Sequence, residues 1–200
     1  MKYFRNIDTG ENRASEVARS VTGGQSEVVR LIKRAAGGNF EAFGELYNIY
    51  LERIYRYVFY QVRDKMTAED LTEEVFLKAW KSIDTCRGKE QTFSSWLYRI
   101  AHNHVIDNLR SQRKYLSTDM EALAEVSSPE LGEEGKLERQ EMLEVISDLP
   151  QNQKQVIILK FIEGFDNREI GQIMGKSQGA IRVLQMRALA TLRQRLSVEI

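Results

Sequence analysis

Hydrophobic positions recur every three or four residues along most of the chain, and they alternate with polar positions only over short stretches. This spacing places the apolar side chains on one face of an α-helix, whereas a strand has a period of two residues. The pattern therefore predicts an all-α protein. The predicted helices cover residues 26–36, 40–60, 66–83 and 93–114 in the N-terminal part, and residues 151–163, 167–174 and 177–196 in the C-terminal part.

Local signals indicate where several of these helices begin and end. Ser26 is placed to cap the first helix, and Gly37 and Gly38 are placed to end it. The segment 40–60 contains eight of the 18 aromatic residues of the chain, which predicts a helix in the core. Thr67 is placed to cap the third helix, where acidic residues follow and favour the positive end of the helix dipole.

Two stretches lack helical periodicity and divide the chain. Residues 1–25 are polar, which predicts a mobile N-terminal tail. Residues 117–135 are acidic and contain glycines and Pro129, which predicts a flexible acidic linker. We therefore expect two small helical domains, one formed by residues 26–116 and the other by residues 136–200.

Charge is segregated along the chain, although the formal net charge is zero. Residues 97–116 contain four basic residues and one acidic residue, and residues 176–195 contain five basic residues and no acidic residue. Residues 117–148, between them, contain ten acidic and two basic residues. Because phosphate binding depends on the local density of cations, the two basic segments are candidate nucleic-acid-binding surfaces.

Composition argues against several other classes of protein. A chain of 200 residues can fold without disulfides or metals, and its single cysteine, Cys86, rules out a disulfide framework. No apolar run reaches 18 residues, and the N-terminus lacks the apolar core of a signal peptide, so we expect a cytoplasmic protein without membrane insertion. The sequence contains no phosphate-binding glycine loop, nucleophile elbow or HExxH motif, so we expect no catalytic residues and no cofactor.

The two histidines, His102 and His104, do not predict a metal site. Residues two apart on a helix point about 200° from each other, and no third residue has the spacing of a ligand. His104 lies in the middle of the apolar face of its helix, which favours a hydrogen-bonded core histidine. Cys86 lies in a polar loop beside Arg87, whose charge favours a reactive thiolate, but a passive loop thiol is the preferred interpretation.

The segment 167–196 has the layout of a helix-turn-helix, with Gly175 at the turn and Ser177 as the cap of the second helix. The inner face of the two helices is predicted to contain Ile170, Ile173, Met174, Ile181 and Leu184. The outer face near the start of the second helix presents Gln178, Gly179, Arg182 and Gln185, with Arg187 further along. Such side chains can read base edges in the major groove, and a helix N-terminus attracts phosphate. The alternative is a helical hairpin with a solvated basic face.

Residues 93–114 combine an apolar face with an unusual second stripe. Phe93, Leu97, Ile100 and Ala101 recur at helical spacing and should be buried. On the same helical wheel, the side chains within about 60° of one another are those of Trp96, Arg99, Asn103 and Arg110. A helix that needed only solubility would not place a tryptophan there, so this stripe is a candidate contact surface.

Residues 67–80 predict an amphipathic helix with an acidic edge. Its apolar face contains Leu71, Val75, Phe76, Ala79 and Trp80, and its edge contains Asp70, Glu73 and Glu74. Taken alone, the acidic residues are also consistent with a core helix that has one hydrated side.

Together these segments resemble the bacterial RNA polymerase sigma-70 family, specifically the compact extracytoplasmic-function (ECF) type. The resemblance lies in AEDLTEEVFLKAW, FSSWLYRIAHNHVIDNLR and LPQNQKQVIILKFIEGFDNREIGQIMGKSQGAIRVLQMRALATLR, and covers about residues 26–116 and 136–196. It implies a non-enzymatic sigma factor that binds the beta-prime and beta subunits of core RNA polymerase and directs promoter-specific initiation. It also implies that an anti-sigma factor is a partner.

The resemblance further implies roles for individual residues. Binding of core polymerase is implied for Asp70, Leu71, Glu74, Val75 and Phe76. Binding of the minus-ten element is implied for Trp96, Arg99, Asn103, Arg110, Arg113 and Lys114. Binding of the minus-thirty-five element is implied for Ser177, Gln178, Gly179, Ala180, Arg182, Gln185 and Arg187. Because melted DNA exposes base faces and phosphates, an indole beside guanidinium and amide groups is suited to it. A pocket for a flipped base would come from the loop 84–93.

One position departs from the family pattern, and one alternative function stays open. Leu184 stands where the family commonly has an arginine, so one phosphate contact is absent or is moved to Arg187. The alternative is a stand-alone helix-turn-helix transcriptional regulator whose N-terminal half is a dimerisation or ligand module. The stripe around Trp96 favours the sigma factor, because a protein that binds only duplex DNA has no use for stacking on single strands. A nucleic-acid enzyme would need a carboxylate or metal constellation that the sequence does not contain.

Overall fold

The computed structural model describes residues 27–86, 92–116 and 146–198, apart from the side chains of residues 113–116 and 196–198. Its helices are α1 (residues 27–36), α2 (Phe40–Val62), α3 (Lys65–Ser82), α4 (Phe93–Leu116), α5 (Gln151–Ile157), α6 (Asn167–Met174) and α7 (Gln178–Val198). A 3-10 turn (Ile83–Cys86) follows α3, and a π-helical turn (Ile158–Ile162) continues α5. Every regular element in the described ranges is helical, which confirms the all-α prediction.

The glycines after α1 end that helix as predicted. The Gly38 amide donates to the carbonyl of Ala35 at 2.9 Å, and Gly38 has a φ of +92°, a conformation that glycine adopts without strain. Asn39 then caps α2, because its Oδ1 accepts from the Ala42 amide at 2.7 Å. The predicted cap of α1, Ser26, lies outside the described residues.

The cap of α3 differs from the prediction. Asp64, not Thr67, is the capping residue, because Asp64 Oδ2 accepts from the Thr67 amide at 2.7 Å and the helix begins at Lys65. Arg63 has a left-handed φ of 58°, which turns the chain after α2 just before Asp64. The hydrogen bonds from the side chain and the amide of Thr67 lower the pKa of Asp64 below its ordinary value.

The described residues fall into two compact units. The first contains the residues before position 50 together with residues 82–93. Its buried apolar side chains include those of Leu31, Ile32, Leu46, Ile83 and Cys86. Cys86 therefore lies at the end of the 3-10 turn rather than in a polar loop, and at 2% exposure it packs as a small apolar residue, which agrees with a passive rather than a reactive thiol.

The second compact unit contains residues 50–81 and all residues from 94 onward. Its core includes Ile54, Tyr57, Val75, Leu97, Ala101, Ile158, Leu159, Ile170 and Ile173. It therefore joins described residues from both predicted domains. The predicted tail (1–25) and linker (117–135) lie outside the described residues, and the domain boundaries stay a prediction.

Helix α4 is buried on two sides, which corrects the assignment of the histidines. His102, not His104, is the buried histidine, and His104 is half-buried with its Nδ1 3.4 Å from Glu74 Oε2. Tyr98, one turn before His102, packs its ring against that of Phe165 with 4.7 Å between the centroids. The C-terminal segment thus covers a second side of α4, which a helical wheel with a single buried face does not show.

Candidate nucleic-acid and partner-binding surfaces

The second helix of the helix-turn-helix, α7, presents one side of its first two turns to solvent. Gly175 turns the chain in the left-handed conformation with a φ of 63°, and Ser177 Oγ accepts from the Ala180 amide at 3.2 Å. Ile181 is fully buried, which fixes the rotation of α7 about its axis. The residues on its exposed side are Ser177, Gln178, Gly179, Ala180, Arg182 and Arg187, while Gln185 is half-buried.

The first helix of this motif, α6, is fixed by a capping box. Asp166 accepts from the amides of Arg168 and Glu169 at 2.7 and 2.8 Å, and the Glu169 carboxylate accepts from the Asp166 amide at 2.8 Å. These bonds satisfy amides that the first turn of a helix leaves without partners. Ile170, Ile173 and Met174 are buried as predicted, and Leu184 on α7 is half-buried.

The stripe on α4 lies at the surface, next to a fully buried face. Arg99, Asn103 and Arg110 are exposed and Trp96 is half-buried, whereas Leu97 and Ala101 are 0% exposed. Arg110 makes an exposed ion pair with Asp107 at 3.7 Å, which is weak enough to exchange for a phosphate. Arg113 and Lys114 lie within α4, but their side chains are outside the described residues.

The residues of α3 that were predicted to bind polymerase fall into an exposed group and a buried group. Asp70 and Glu74 are exposed and available to a partner. Leu71, Val75 and Phe76 have exposures of 6%, 0% and 5%, so in this conformation they form the core beneath the surface rather than the surface itself. Burial limits direct contact to the first group, because a partner cannot reach the second without unpacking the helix.

Leu77 is an apolar residue on α3 that the sequence reasoning missed. It is 59% exposed beside the acidic edge. The four-residue spacing of Leu71, Val75 and Ala79 leaves Leu77 off the buried face, and that offset was the available signal. An exposed leucine between carboxylates can add apolar contact to a largely electrostatic surface.

A buried polar cluster in the second compact unit was also missed. The side chain of Glu163 is 0% exposed, accepts hydrogen bonds from Tyr98 and Arg56, and makes an ion pair with Arg53. The donors precede Glu163 by 65 to 110 residues, so no local sequence pattern could reveal the pairing. Burial and the negative charge of Glu163 raise the pKa of Tyr98 well above its ordinary value, which keeps its hydroxyl protonated as a donor.

The pKa of His102 in α4 is affected by a charge from the helix-turn-helix, which places the two close together. Burial, followed by the positive charges of Lys176 and Arg99, lowers the pKa of His102 to about 4. Lys176 belongs to the turn between α6 and α7, and Arg99 belongs to the stripe on α4. The imidazole is therefore neutral at pH 7. Its Nδ1 is buried without a hydrogen-bond partner among the described residues.

Two further features bear on the kind of site this is. In the ranges that the structure describes, no group of three or more His, Cys, Asp and Glu side chains is arranged to hold a metal ion. Within the same ranges, none of the helices combines the length and apolar character needed to cross a membrane. The described surfaces thus consist of an acidic edge, a mixed aromatic and cationic stripe, and the exposed start of a helix.

Two family models and several curated proteins match this chain. The Sigma-70 region 2 family matches residues 46–115, and the Sigma-70, region 4 family matches residues 139–192. The chain is 36% identical over 171 residues to the ECF RNA polymerase sigma factor BldN of Streptomyces coelicolor, covering 84% of this chain and 65% of BldN. It is 33% identical over 145 residues to the RNA polymerase sigma factor SigV of Bacillus subtilis, covering 72% of this chain and 85% of SigV.

A solved structure supports the fold. The sigma factor RpoE, co-crystallised with the anti-sigma factor NepR from Bartonella quintana, matches with a TM-score of 0.66 and 21% sequence identity, covering 79% of this chain and 98% of RpoE. Both matched ranges lie inside the segments that carry the sequence resemblance, residues 26–116 and 136–196. The chain therefore belongs to the ECF RNA polymerase sigma factors, non-enzymatic subunits that direct promoter-specific initiation of transcription.

Proposed function

We propose that this chain brings core RNA polymerase to promoters by contacting two DNA elements with two different helices. The stripe on α4 binds the melted minus-ten element, and the start of α7 binds the minus-thirty-five duplex. The observation that carries the proposal is the placement of Trp96, Arg99 and Asn103 at the surface of a helix whose neighbouring face is fully buried. A rigid helix holds stacking and cationic groups in register, which favours binding to single-stranded DNA.

At the minus-ten element the groups have distinct tasks. The indole of Trp96 stacks on a base, Arg99 neutralises phosphate, and Asn103 donates and accepts hydrogen bonds at a base edge. Arg110, Arg113 and Lys114 continue the same helix and hold the backbone. The pocket for a flipped base, expected from loop 84–93, involves residues 87–91 outside the described range and remains a prediction.

At the minus-thirty-five element, α7 enters the major groove by its N-terminal end. The small residues Gly179 and Ala180 allow close approach, and the amides of Gln178 and Gln185 and the guanidinium of Arg182 reach base edges. Arg187, about one turn beyond Leu184, binds the phosphate that an arginine at position 184 commonly binds in the family. Ser177 and the helix dipole at the N-terminus add a second phosphate contact.

The acidic edge of α3 binds the coiled coil of the beta-prime subunit of core polymerase. Asp70 and Glu74 supply charge and Leu77 supplies apolar area, while Leu71, Val75 and Phe76 hold the helix in position from below. The domain organisation follows from these tasks: residues 26–116 form the region 2 domain and residues 136–200 the region 4 domain. Because its partner polymerase is cytoplasmic, the chain acts in the cytoplasm.

An anti-sigma factor is the proposed regulator. The support is the complex of RpoE with NepR, a protein of the same fold bound to an anti-sigma factor. Two DNA-binding surfaces and one polymerase-binding surface on one chain offer such an inhibitor several faces to cover. Purification of the native protein with a stoichiometric small partner would support this regulation, and recovery with polymerase subunits alone would count against it.

The proposal is tested by run-off transcription with purified core polymerase on a genomic promoter library. Adding the chain should create new start sites that share sequence elements near minus ten and minus thirty-five. Start sites that do not change when the chain is added would contradict the proposal. Tight binding of the isolated chain to palindromic half-sites, without polymerase, would instead indicate a stand-alone transcriptional regulator.

A further inference from the structure

The buried carboxylate of Glu163 joins the two segments that match region 2 and region 4. Arg56 donates to Glu163 Oε1 from Nε at 3.3 Å and from Nη2 at 3.2 Å, and Arg53 Nε lies 3.5 Å from Oε2. The Tyr98 hydroxyl donates to Oε2, and Arg53 Nη2 donates to the backbone carbonyl of Glu163 at 3.2 Å. All three donors belong to residues 46–115, whereas Glu163 belongs to residues 139–192.

The surroundings of this carboxylate make the contact specific. The ring of Tyr98 lies edge-on to those of Phe165 and Tyr57, with centroids 4.7 and 5.4 Å away, and the guanidinium of Arg53 lies 5.9 Å from the Tyr98 centroid. A buried carboxylate is tolerated only when it is paired and hydrogen-bonded. Displacing Glu163 would leave a buried phenol without its acceptor, so intermediate positions are disfavoured.

A second polar contact joins the same two segments. Gln151 Nε2 donates to Gln61 Oε1 at 2.9 Å, and Lys154 Nζ donates to the Gln61 carbonyl at 3.4 Å. Lys154 and Gln61 are 6% and 3% exposed, so this contact is buried too. Burial, followed by the positive charge of Arg63, lowers the pKa of Lys154 to about 8. Helix α5 is therefore fixed to α2 through Gln61, and the end of the π-helical turn that follows α5 is fixed to α2 through Glu163.

These contacts limit how far apart the two DNA-binding helices can be. Fifteen residue steps separate Glu163 from Gln178, and eight of the intervening residues are helical in α6. The largest possible distance between Trp96 and Gln178 follows if the remaining residues are fully extended and the lengths of the Tyr98 and Glu163 side chains are added. While the Glu163 carboxylate stays bound, this distance is at most about 55 Å. The elements named minus ten and minus thirty-five are about 25 base pairs apart, which is about 85 Å of duplex at 3.4 Å per base pair.

We infer that the cluster of Glu163 with Tyr98, Arg53 and Arg56 is an intramolecular latch, which holds the free chain closed and must open before one molecule can bind both promoter elements. The inference rests on the proposed function, because it assumes that both elements are bound by the same chain. A closed free state lowers the apparent affinity for polymerase by the fraction of molecules that are open. The latch therefore limits the action of the free chain until polymerase and promoter favour the open state.

The test measures one distance in the full-length protein. Paired nitroxide labels are placed at the exposed positions Glu69, which points away from the acidic edge, and Gln194, after Glu69→Cys and Gln194→Cys, with the buried Cys86 replaced by Ala. The free chain should give one narrow population at short distance. Glu163→Ala should shift the distribution to longer and broader distances, as should addition of core polymerase and promoter DNA to the unaltered chain. The affinity of Glu163→Ala for core polymerase should rise about threefold or more.

Two further variants keep the test decisive. Tyr98→Phe removes a single hydroxyl and retains the ring, so it should open the chain partially even if Glu163→Ala fails to fold. Glu52→Gln removes a carboxylate that pairs with the same Arg56 at 4.0 Å but is 69% exposed, and it should leave the distance unchanged.

Failure of the latch can be told apart from failure of the proposed function. If the free chain already has the long, broad distribution, or if Glu163→Ala and Tyr98→Phe both keep the short distance, the latch is overturned. Run-off transcription with the same samples reports separately whether promoter-specific initiation takes place.

Discussion

Gly171 in α6 and Lys176 in the turn after it lie so close that a β-carbon added to Gly171 would be 2.7 Å from the Lys176 carbonyl oxygen. The Lys176 amide also donates to the Gly171 carbonyl at 2.9 Å, so the two residues are joined through their backbones. This approach sets the tight turn between the two helices of the DNA-binding motif. Glycine is required at position 171 for space rather than for an unusual φ angle.

We expect Gly171→Ala to lower the free energy of unfolding by about 1–3 kcal/mol, because the methyl group meets backbone that cannot rotate away. Thermal and urea unfolding of the full-length chain would measure the loss. Gly179→Ala is the matched control, since no atom lies within 4 Å of the added β-carbon at this helical position. That control should be neutral or stabilising by up to about 1 kcal/mol. Equal losses in the two variants would contradict the steric explanation.

His102 predicts how stability depends on pH. Its folded-state pKa of about 4 lies below the ordinary value of 6.5, mainly because of burial and also because of Lys176 and Arg99. The unfolded state therefore binds the proton more tightly. The stability from the neutral imidazole is fully present above about pH 6.5 and is lost as the pH falls towards 4, by up to about 3 kcal/mol.

The comparison with His102→Gln isolates this contribution, because all other titrating groups are shared by the two proteins. Urea unfolding measured between pH 4 and 8 should show wild type losing more stability than the variant as the pH falls. A constant difference between the two proteins across this range would show that His102 is not protonated more readily on unfolding.

The acidic edge of α3 predicts a charge-dependent contact with polymerase. We expect Glu74→Lys to weaken binding to core polymerase about tenfold or more, because it replaces an attractive charge with a repulsive one at the interface. Glu69→Lys makes the same charge change at an exposed position of α3 that points about 140° away from Glu74, and it should have a much smaller effect. Fluorescence titration with core enzyme at two salt concentrations would measure both. Similar losses would indicate long-range charge rather than a contact at Glu74.

Because the half-buried indole of Trp96 on α4 is proposed to stack on melted DNA, we expect its removal to impair strand opening only. Trp96→Ala should leave closed-complex formation nearly unchanged and reduce open-complex formation about tenfold or more, since stacking on one base contributes about 1–3 kcal/mol. Permanganate footprinting of the open complex and filter binding of the closed complex would separate the two steps. Trp96→Phe retains an aromatic face and should recover much of the activity. Equal loss in both steps for Trp96→Ala would exclude the stacking role.

The sequence alone determined the helices and most of their ends. Helical periodicity predicted the elements, and short-range signals such as Gly38, Gly175 and Ser177 marked their boundaries, because caps and turns depend on residues within about four positions. For the same reason, three local segments were enough to show the resemblance to sigma factors. The error at Thr67 arose within this range, where the neighbouring Asp64 takes the capping position.

The tertiary structure alone decided what each helix face touches. Leu71, Val75 and Phe76 were expected at the polymerase-binding surface and are buried, and His102 is buried in place of His104. Glu163 binds side chains 65 to 110 residues away in sequence. The spacing of residues on a helix fixes which side chains share a face, but burial and pairing depend on which other helices pack there. That packing is settled by contacts between distant segments of the chain, which periodicity does not record.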